Sequence, residues 1–531
     1  MTKLNNALIE YLKNTFQDRV TFDDVERMLY SHDIAAMPSL IKPLMGNTIP
    51  DAVVQPVSEG ELQTLASWAA GNGIPLTPRG KASSGYGGVL PVEQGIVVDF
   101  YRLKKILSMD KEKLIATVQP GIVWERLDHE LKKQGLTLLT YPSSYPGSTV
   151  GGWLAQGGAG FGSYEAGWFR DTVVSARVVL PDGAVQVFEG KDLDMISEAE
   201  GITGLISEIT IRVQSDEAMD LVSIGCSNAH DLQKMMEAMH KENLPIWSLV
   251  FINPRMAEMK NQAPLMEHMG HPAEERVLLP ASYITTLTFR AKDREKVIDG
   301  LHSGGQAPRT QPCARRGGHT AFLFRRLHDQ GGEDHPAAGR QGRRDDPEFA
   351  LRKAGGGDPR IHSRRRAGLQ LQLRLRGLSL SMMRLAEKHG GRAYATGLYF
   401  STKARDVLGK DRLARLTTFK KQVDPKGILN PGKVLGGKLI GMAVMLGSLF
   451  EPLIRPFGNA VFTKVGERPT TDSRDIPADV AWYAHSCSQC GYCVDECDQF
   501  YGRGWESQSP RGKWYWLREY MKGKQEWSQK V

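Results

Sequence analysis

Four of the six cysteines in this 531-residue chain fall within eleven positions, as Cys487-x-x-Cys490-x-x-Cys493-x-x-x-Cys497. Thiolates are soft ligands suited to iron and zinc. Three at this spacing wrap around three irons of a 4Fe–4S cubane, and the fourth leaves the turn toward another site. Zinc prefers two separated pairs, or one pair with histidines, so iron is the metal predicted here. The candidate metal ligands are therefore Cys487, Cys490, Cys493 and Cys497. In two-cluster ferredoxins the fourth cysteine serves the second cluster. By that rule Cys497 belongs to a cluster completed by a further run or a partner chain. A single cluster held by all four is the alternative. Asp498 stands where proline usually follows, and Cys226 and Cys313 lie far away. Such cysteine usage excludes a disulfide scaffold and points to a reducing compartment.

A second chemistry is written in glycine. The run Pro78-Arg79-Gly80-Lys81-Ala82-Ser83-Ser84-Gly85-Tyr86-Gly87-Gly88 follows a predicted strand. Small residues there let several backbone N–H groups converge on an anion, and glycine supplies the positive φ such a nest needs. Neither the phosphate-loop lysine spacing nor GxGxxG is present. A second loop holds Tyr141-Pro142-Ser143-Ser144, Gly147-Ser148-Thr149-Val150-Gly151-Gly152 and Gly157-Gly158-Ala159-Gly160. The third is Glu200-Gly201-Ile202-Thr203-Gly204-Leu205-Ile206. Three such loops in this order are far more specific than any one.

The elements that must position these loops alternate between short strands and helices. DAVVQP, IPLTPRG, GIVVDF and LIATVQP read as strands. Ser58 and Glu61 make a capping box for a helix that stops at Gly73. TVVSARVVLPDGAVQVF is two strands around a Pro181-Asp182-Gly183 turn, and LISEITIRVQ is a buried strand. Between 216 and 300, LVSIGCS, HDLQKMMEAMHKENLP, IWSLVFI and ITTLTFRA give the strand–helix–strand rhythm of a separate α+β unit. Residues 439–450, LIGMAVMLGSLF, are too short an apolar run to span a bilayer. They read as a buried linker helix, with an interfacial helix as the alternative. The N-terminus lacks a signal-peptide core.

The composition, 41% hydrophobic and 24% charged, excludes wholesale disorder. The net charge of +8 is local: residues 301–380 hold 15 Arg and one Lys against 7 acids. That stretch has no Val and one Ile, which a folded α/β segment would need for its strands. It reads as a frame-shifted stretch of a GC-rich gene, ahead of a disordered insertion or a basic arm for nucleic acid. Aromatic stacking residues are too sparse for the last, so nucleic acid is not an expected partner.

The set PRGKASSGYGG, PSSYPGSTVGGWLAQGGAGFGS, VVLPDGAV and EGITGLISEITI resembles the FAD-binding domain of the p-cresol methylhydroxylase / vanillyl-alcohol oxidase superfamily, in its glycolate oxidase / D-lactate dehydrogenase branch. DPKGILNPGKVL, from Asp424 to Leu435, resembles the closing motif of that branch. The resemblance covers about residues 48–300 and 381–436. It implies an α+β fold: a two-subdomain FAD-binding domain of p-cresol methylhydroxylase type, an α+β cap, and a small helical ferredoxin-like iron–sulfur domain. The expected boundaries are 1–47 for an N-terminal helical segment and 48–215 for the FAD-binding domain. The cap would take 216–436, a linker 437–475, and the iron–sulfur domain 476–531, with its second motif missing. Arg79, Gly80, Lys81, Ala82, Ser83, Ser84 and Gly85 would cradle the FAD pyrophosphate. Pro142, Ser144, Thr149, Gly151 and Gly152 would line the flavin and ribityl side. Gly201, Gly204 and Ile206 would meet the cofactor through backbone. Some relatives attach flavin through a His or Cys in the pyrophosphate loop; residues 78–88 contain neither, so the FAD is expected to be non-covalent.

The implied function is oxidation of a 2-hydroxy acid of D-lactate or glycolate type. Electrons would pass from FAD through a 4Fe–4S cluster to a quinone or protein acceptor. An electron-transfer or assembly subunit without its own turnover, or the inactive product of a damaged gene, are the alternatives. The segment Glu506 to Lys513 resembles the linker between cluster motifs in iron–sulfur subunits of such dehydrogenases. An iron–sulfur or membrane-associated acceptor is the expected partner, and the cytoplasm, or the inner face of its membrane, the expected location. Where the branch usually carries a Glu-His-Gly-type stretch, this chain has Ala395-Thr396-Gly397-Leu398-Tyr399-Phe400, so no catalytic base is assigned. Arg255 is one candidate to clamp a carboxylate.

Overall fold

A computed structural model describes residues 4–35, 46–262, 278–303, 385–436 and 476–521, together with Met442, Gly523 and Glu526. The basic stretch from residue 304 onward and nearly all of the apolar run at 439–450 lie outside the described residues. Among the described residues no helix is long and apolar enough to cross a membrane.

Three sheets organise the chain. The first contains β1 (Val20–Thr21), β2 (Ala52–Val54), β3 (Leu76–Arg79) and β4 (Ile96–Asp99), in the order β1-β2-β4-β3. β2 and β3 both run parallel to β4, and parallel sheets are buried on both faces. Ala52, Val54, Ile96 and Val98 point to a core closed by Leu62, Leu65 and Ala66 of helix Glu59–Asn72 and by Leu12 and Phe16 of helix Asn6–Phe16. Val53 and Val97 point the other way, onto Val25 and Leu29 of helix Asp24–Leu29 and onto Trp516 of helix Pro510–Met521. The cysteine-bearing part of the chain thus closes the second face of this sheet.

The second sheet is antiparallel, with β5 (Ile106–Asp110), β6 (Ile115–Val118), β8 (Val173–Val179), β9 (Val185–Glu189) and β10 (Leu205–Ser215) in the order β5-β6-β10-β8-β9. β7 (Leu136–Leu138) pairs with the end of β10. Its core is built around Trp124, Trp153 and Phe169, the last two stacked at 4.4 Å between ring centroids. The third sheet holds β11 (Met219–Cys226), β12 (Ser248–Ile252) and β13 (Tyr283–Arg290), in the order β11-β13-β12, under helix Ala229–Lys241.

Local chemistry explains the element ends. Ser58 Oγ accepts from the Glu61 N–H at 3.2 Å, while the Glu61 carboxylate reaches Val57 N rather than Ser58 N. The capping box expected from sequence is thus shifted by one residue on its return arm. The helix stops at Gly73, whose φ is 65°. Gly183 (φ 86°) turns β8 into β9, with Asp182 accepting from Ala184 N.

Candidate functional site

The three glycine loops converge at the ends of β3 and β10. A Cβ on Gly80 would come within 2.5 Å of Thr149 Oγ1, and one on Gly201 within 2.5 Å of Pro78 Cγ. These approaches bring the first loop onto the second and the third onto the first. Gly88 lies against Glu200 in the same way.

Within the first loop the polar groups divide. The Arg79 guanidinium is buried and donates to the carbonyls of Leu29, Tyr30 and His32. The Lys81 ammonium is paired with Asp495 at 3.0 Å. Neither cationic head is turned to the loop's own N–H groups. From Gly80 to Gly85, by contrast, no backbone N–H donates within the described residues, and neither does the Ser83 or Ser84 hydroxyl. Ser83, Ser84 and Gly85 are half-buried, and Ala82 has φ 51°. A row of unspent donors in a small-residue turn fits an anionic group such as a pyrophosphate. It is the backbone, not the two cations, that the fold leaves for it.

In the second loop Ser144 and Gly152 are exposed, Pro142 is buried, and Ser144 Oγ donates to Ser148 Oγ at 2.9 Å. Thr149 caps helix Val150–Gln156 through Gly152 N. Gly151 is buried, and a Cβ there would meet Pro120 Cβ at 2.4 Å. A Cβ on Gly204 would meet Val178 at 2.3 Å, and Ile206 is buried in the second core. The side chains missing at Gly151 and Gly204 therefore make room for protein. In the first loop Gly80, Gly87 and Gly88 are likewise approached by protein, and only at Gly85 would a Cβ find room, with its nearest neighbour 3.6 Å away.

Sequence reasoning overlooked the support beneath the loops. Asp33 accepts from Gly87 N at 2.7 Å and from Ala35 N at 2.8 Å. Leu429 bridges Leu76 of β3, and Asn430 Nδ2 donates to the carbonyls of Gly88 and Glu200. Lys433 is buried, with Nζ donating to Leu90 O at 2.6 Å. Burial pushes the Glu200 carboxyl up to about 7 and the Lys433 ammonium down to about 7. Burial also raises Asp33 to about 6. The closing motif is thus a strap under two of the three loops. The stretch Ala395–Phe400 is held beside it, with Leu398 N and Tyr399 N both donating to Tyr86 O. Tyr86, Tyr394 and Trp168 follow one another at 6.2 Å between centroids, and Tyr394 donates to Ala159 O in the Gly157–Gly160 turn. Arg255 pairs with Glu258 on an exposed helix face and reaches none of these groups.

The cysteine segment docks directly on the loops. Asp495, between Cys493 and Cys497, holds Lys81. Arg511 Nη1 donates to Lys81 O at 2.6 Å. Gly147 packs so closely on the far side that a Cβ would stand 3.0 Å from Tyr492 Cα, next to Cys493. Gln55 donates to Gly504 O, and Glu26 accepts from Ser507 N. The His32 ring stacks on Tyr515 at 3.8 Å, and burial holds His32 far below its usual value, hence neutral. Positive φ at Gln489 (62°) and Gly491 (83°) curls the chain between Cys487 and Cys493. Burial raises the Cys493 thiol to about 11, opposed by the charge and backbone N–H of Arg511, while Cys487 and Cys490 lie close enough to act on it. Cys497 turns away to donate to Gln508 O. All four are free thiols, and among the described residues no group of three or more His, Cys, Asp or Glu is disposed around a single ion. The Cys487-x-x-Cys490-x-x-Cys493 run with the fourth thiol turned aside is the ligand pattern of a cubane, which takes one thiolate per iron, rather than of a closed four-ligand zinc site.

Comparison with known proteins bears on both regions. Residues 50–189 match the FAD binding domain family, and residues 486–531 match the 4Fe–4S dicluster domain family. The chain is 31% identical over 226 residues to the mitochondrial D-lactate dehydrogenase [cytochrome] of Arabidopsis thaliana, covering 41% of this chain and 38% of that one. It is 31% identical over 203 residues to the glycolate oxidase subunit GlcD of Bacillus subtilis, covering 36% and 42%. The chain spans about two fifths of the length of these relatives. Among solved structures, 4-ethylphenol oxidase from Gulosibacter chungangensis superposes with TM-score 0.60 at 16% identity, over 82% of this chain and 98% of that one. An alkyldihydroxyacetonephosphate synthase superposes with TM-score 0.55 at 19% identity, over 81% and 86%. At such identities the likeness is one of fold. The fold is the p-cresol methylhydroxylase type expected from sequence, and the chain carries an FAD-binding domain and a 4Fe–4S domain.

Proposed function

We propose that this FAD-dependent oxidoreductase oxidises a small 2-hydroxy acid of D-lactate or glycolate type and passes the electrons through its own 4Fe–4S domain to a quinone or protein acceptor. One observation carries the wiring: the cysteine segment is bolted to the pyrophosphate loop by Lys81–Asp495 and Arg511–Lys81, and touches the second loop at Gly147. Two groups that exchange electrons need such proximity, and a cluster there has no other evident use. The names of the relatives support the substrate class. Alkyldihydroxyacetonephosphate synthases are also among them, and the cysteine run favours the redox reading.

In this reading the N–H row from Gly80 to Gly85 binds the FAD pyrophosphate, joined by the Ser83 and Ser84 hydroxyls. Pro142, Ser144, Thr149 and Gly152 line the next part of the cofactor. Gly151, Gly201, Gly204 and Ile206 hold the loops in register. FAD, when bound, supplies the hydride acceptor. With no His or Cys in residues 78–88, it is held without a covalent bond. Cys487, Cys490 and Cys493 ligate one cluster, and Cys497 faces away from it.

A second reading, an electron-transfer subunit without turnover of its own, is favoured by the absence of histidine from Ala395–Phe400. Anaerobic addition of D-lactate or glycolate separates the two. Bleaching of the flavin absorbance is expected. Full reducibility by dithionite with no response to either acid would favour the second reading.

A further inference from the structure

We infer that Arg511 sets the reduction potential of the cluster as well as fastening it to the flavin loop. This rests on the reading that Cys493 is a cluster ligand. Arg511 lies in the first turn of helix Pro510–Met521 and is 5% exposed. Its backbone N–H is directed at the Cys493 sulfur. Its Nη1 donates to Lys81 O, and its Nε to Glu506 Oε2 at 3.1 Å, with Nη2 on the other carboxylate oxygen. Gly491, inside the cysteine turn, exposes its backbone to the guanidinium, and a Cβ there would lie 2.5 Å from Nη1. One side chain is thus wedged between the flavin loop and the turn that carries Cys490 and Cys493.

Iron–sulfur potentials follow net charge, hydrogen bonds to sulfur and exposure. Arg511 acts on all three. Its side chain brings a buried positive charge and helps cover the turn, and its backbone N–H adds a favourable dipole at Cys493. A cation favours the reduced, more negative cluster. Glu506 opposes it, and burial alone would raise that carboxyl, yet Arg511, with Arg79 and Lys81, outweighs burial and leaves Glu506 at about 2, hence ionised. The two residues form an opposed pair beside the cluster, so neutralising one or the other must move the potential in opposite directions. Arg511 contacts no reacting atom in this account; it is a positioning residue.

The test is a redox titration of the full chain, purified anaerobically, following the cluster by electron paramagnetic resonance and the flavin by absorbance. Arg511→Gln is expected to disfavour cluster reduction about tenfold, a lowering of about 59 mV for one electron. Glu506→Gln is expected to shift it the other way, and Arg511→Lys to restore most of the wild-type value. Iron retained in both Gln variants with unmoved potential would overturn the inference. If Arg511→Gln loses its iron, Arg511→Lys and Glu506→Gln decide: iron retained in both, with the Lys variant near the wild-type potential and the Glu506 variant raised, supports the tuning role, whereas lost iron in the Lys variant or an unmoved potential in the Glu506 variant overturns it. Wild-type protein without iron would sink the cluster reading itself.

Discussion

The loop Gly80–Gly85 continues from β3 and the strap Asp424–Leu435 pairs with β3 at Leu76, yet they spend their polar groups in opposite ways. In the strap nearly everything is committed. Asp424 accepts from Ile428 N and Leu429 N and pairs with Lys420, while Asn430 and Lys433 reach carbonyls of the glycine loops. In the loop six successive N–H groups have no partner within the described residues. A buried segment cannot leave donors unpaired without losing roughly 1–3 kcal/mol for each. A half-exposed loop can, because water satisfies them until a ligand does. The contrast separates groups that hold the fold from groups that the fold does not use, the ones proposed above for an anion.

The largest effect should come from the committed side. Asp424→Ala strands two buried N–H groups and takes the partner carboxylate from the Lys420 ammonium, which keeps its bonds to Ile202 O and Leu429 O, and removing one partner of a buried pair costs about 3–5 kcal/mol. Urea unfolding followed by tryptophan fluorescence is expected to show a loss of about 3 kcal/mol. A loss below about 1 kcal/mol would mean that the strap is not where the stability lies.

This division also shows what was legible in the sequence. The short apolar run in DAVVQP, the alternation in LISEITIRVQ, the Ser58 cap and the Asp182-Gly183 turn are local signals, and they appear where expected. The cysteine spacing and the three loops were legible because their chemistry is itself a matter of spacing. The partners of Arg79 and Lys81 were not. In sequence both are cations in a phosphate-type loop, but Arg79 is drawn to carbonyls 47 to 50 residues earlier. Lys81 is drawn to Asp495, more than 400 residues later. No local pattern encodes such a pairing. Gly151 and Gly204 were readable as glycines that something approaches closely; the resemblance named the cofactor, whereas the neighbours the fold brings there are Pro120 and Val178.

The next effect is one of pH. Glu200, pushed up to about 7 by burial, holds its proton in the folded chain but loses it near 4.5 when unfolded. The folded state then binds more protons across that window, and its stability falls as pH rises from 4.5 to 7. Lys433, brought down to about 7 from 10.5, is the reverse: the unfolded state binds more protons between 7 and 10.5, so stability rises there. The pair predicts a minimum near pH 7. Asp33, raised to about 6, adds its own fall below that value, and Glu26 and Glu125, both raised to about 7 by burial, share the interval from pH 6 to 7 with Glu200. Glu200→Gln cannot ionise and should reduce the fall over that interval, by at most about 1.4 kcal/mol per pH unit. Unfolding midpoints of both proteins at pH 6, 7 and 9 check it. An unchanged fall in the variant would assign the proton to another group.

The smallest effect is the sharpest test of the uncommitted side. Ser83 donates to nothing in the described structure, so Ser83→Ala should leave the flavin-free protein within about 0.5 kcal/mol of wild type. If its hydroxyl is held for the cofactor, the same change removes one hydrogen bond from the complex, worth about 1 kcal/mol, or roughly fivefold in FAD affinity. Titrating flavin-free protein with FAD, by quenching of flavin fluorescence, reads the second quantity independently of the first. Unchanged affinity would place the pyrophosphate on other groups of the loop. A loss of stability with unchanged affinity would move Ser83 to the committed side, and the contrast between loop and strap would fail at that residue.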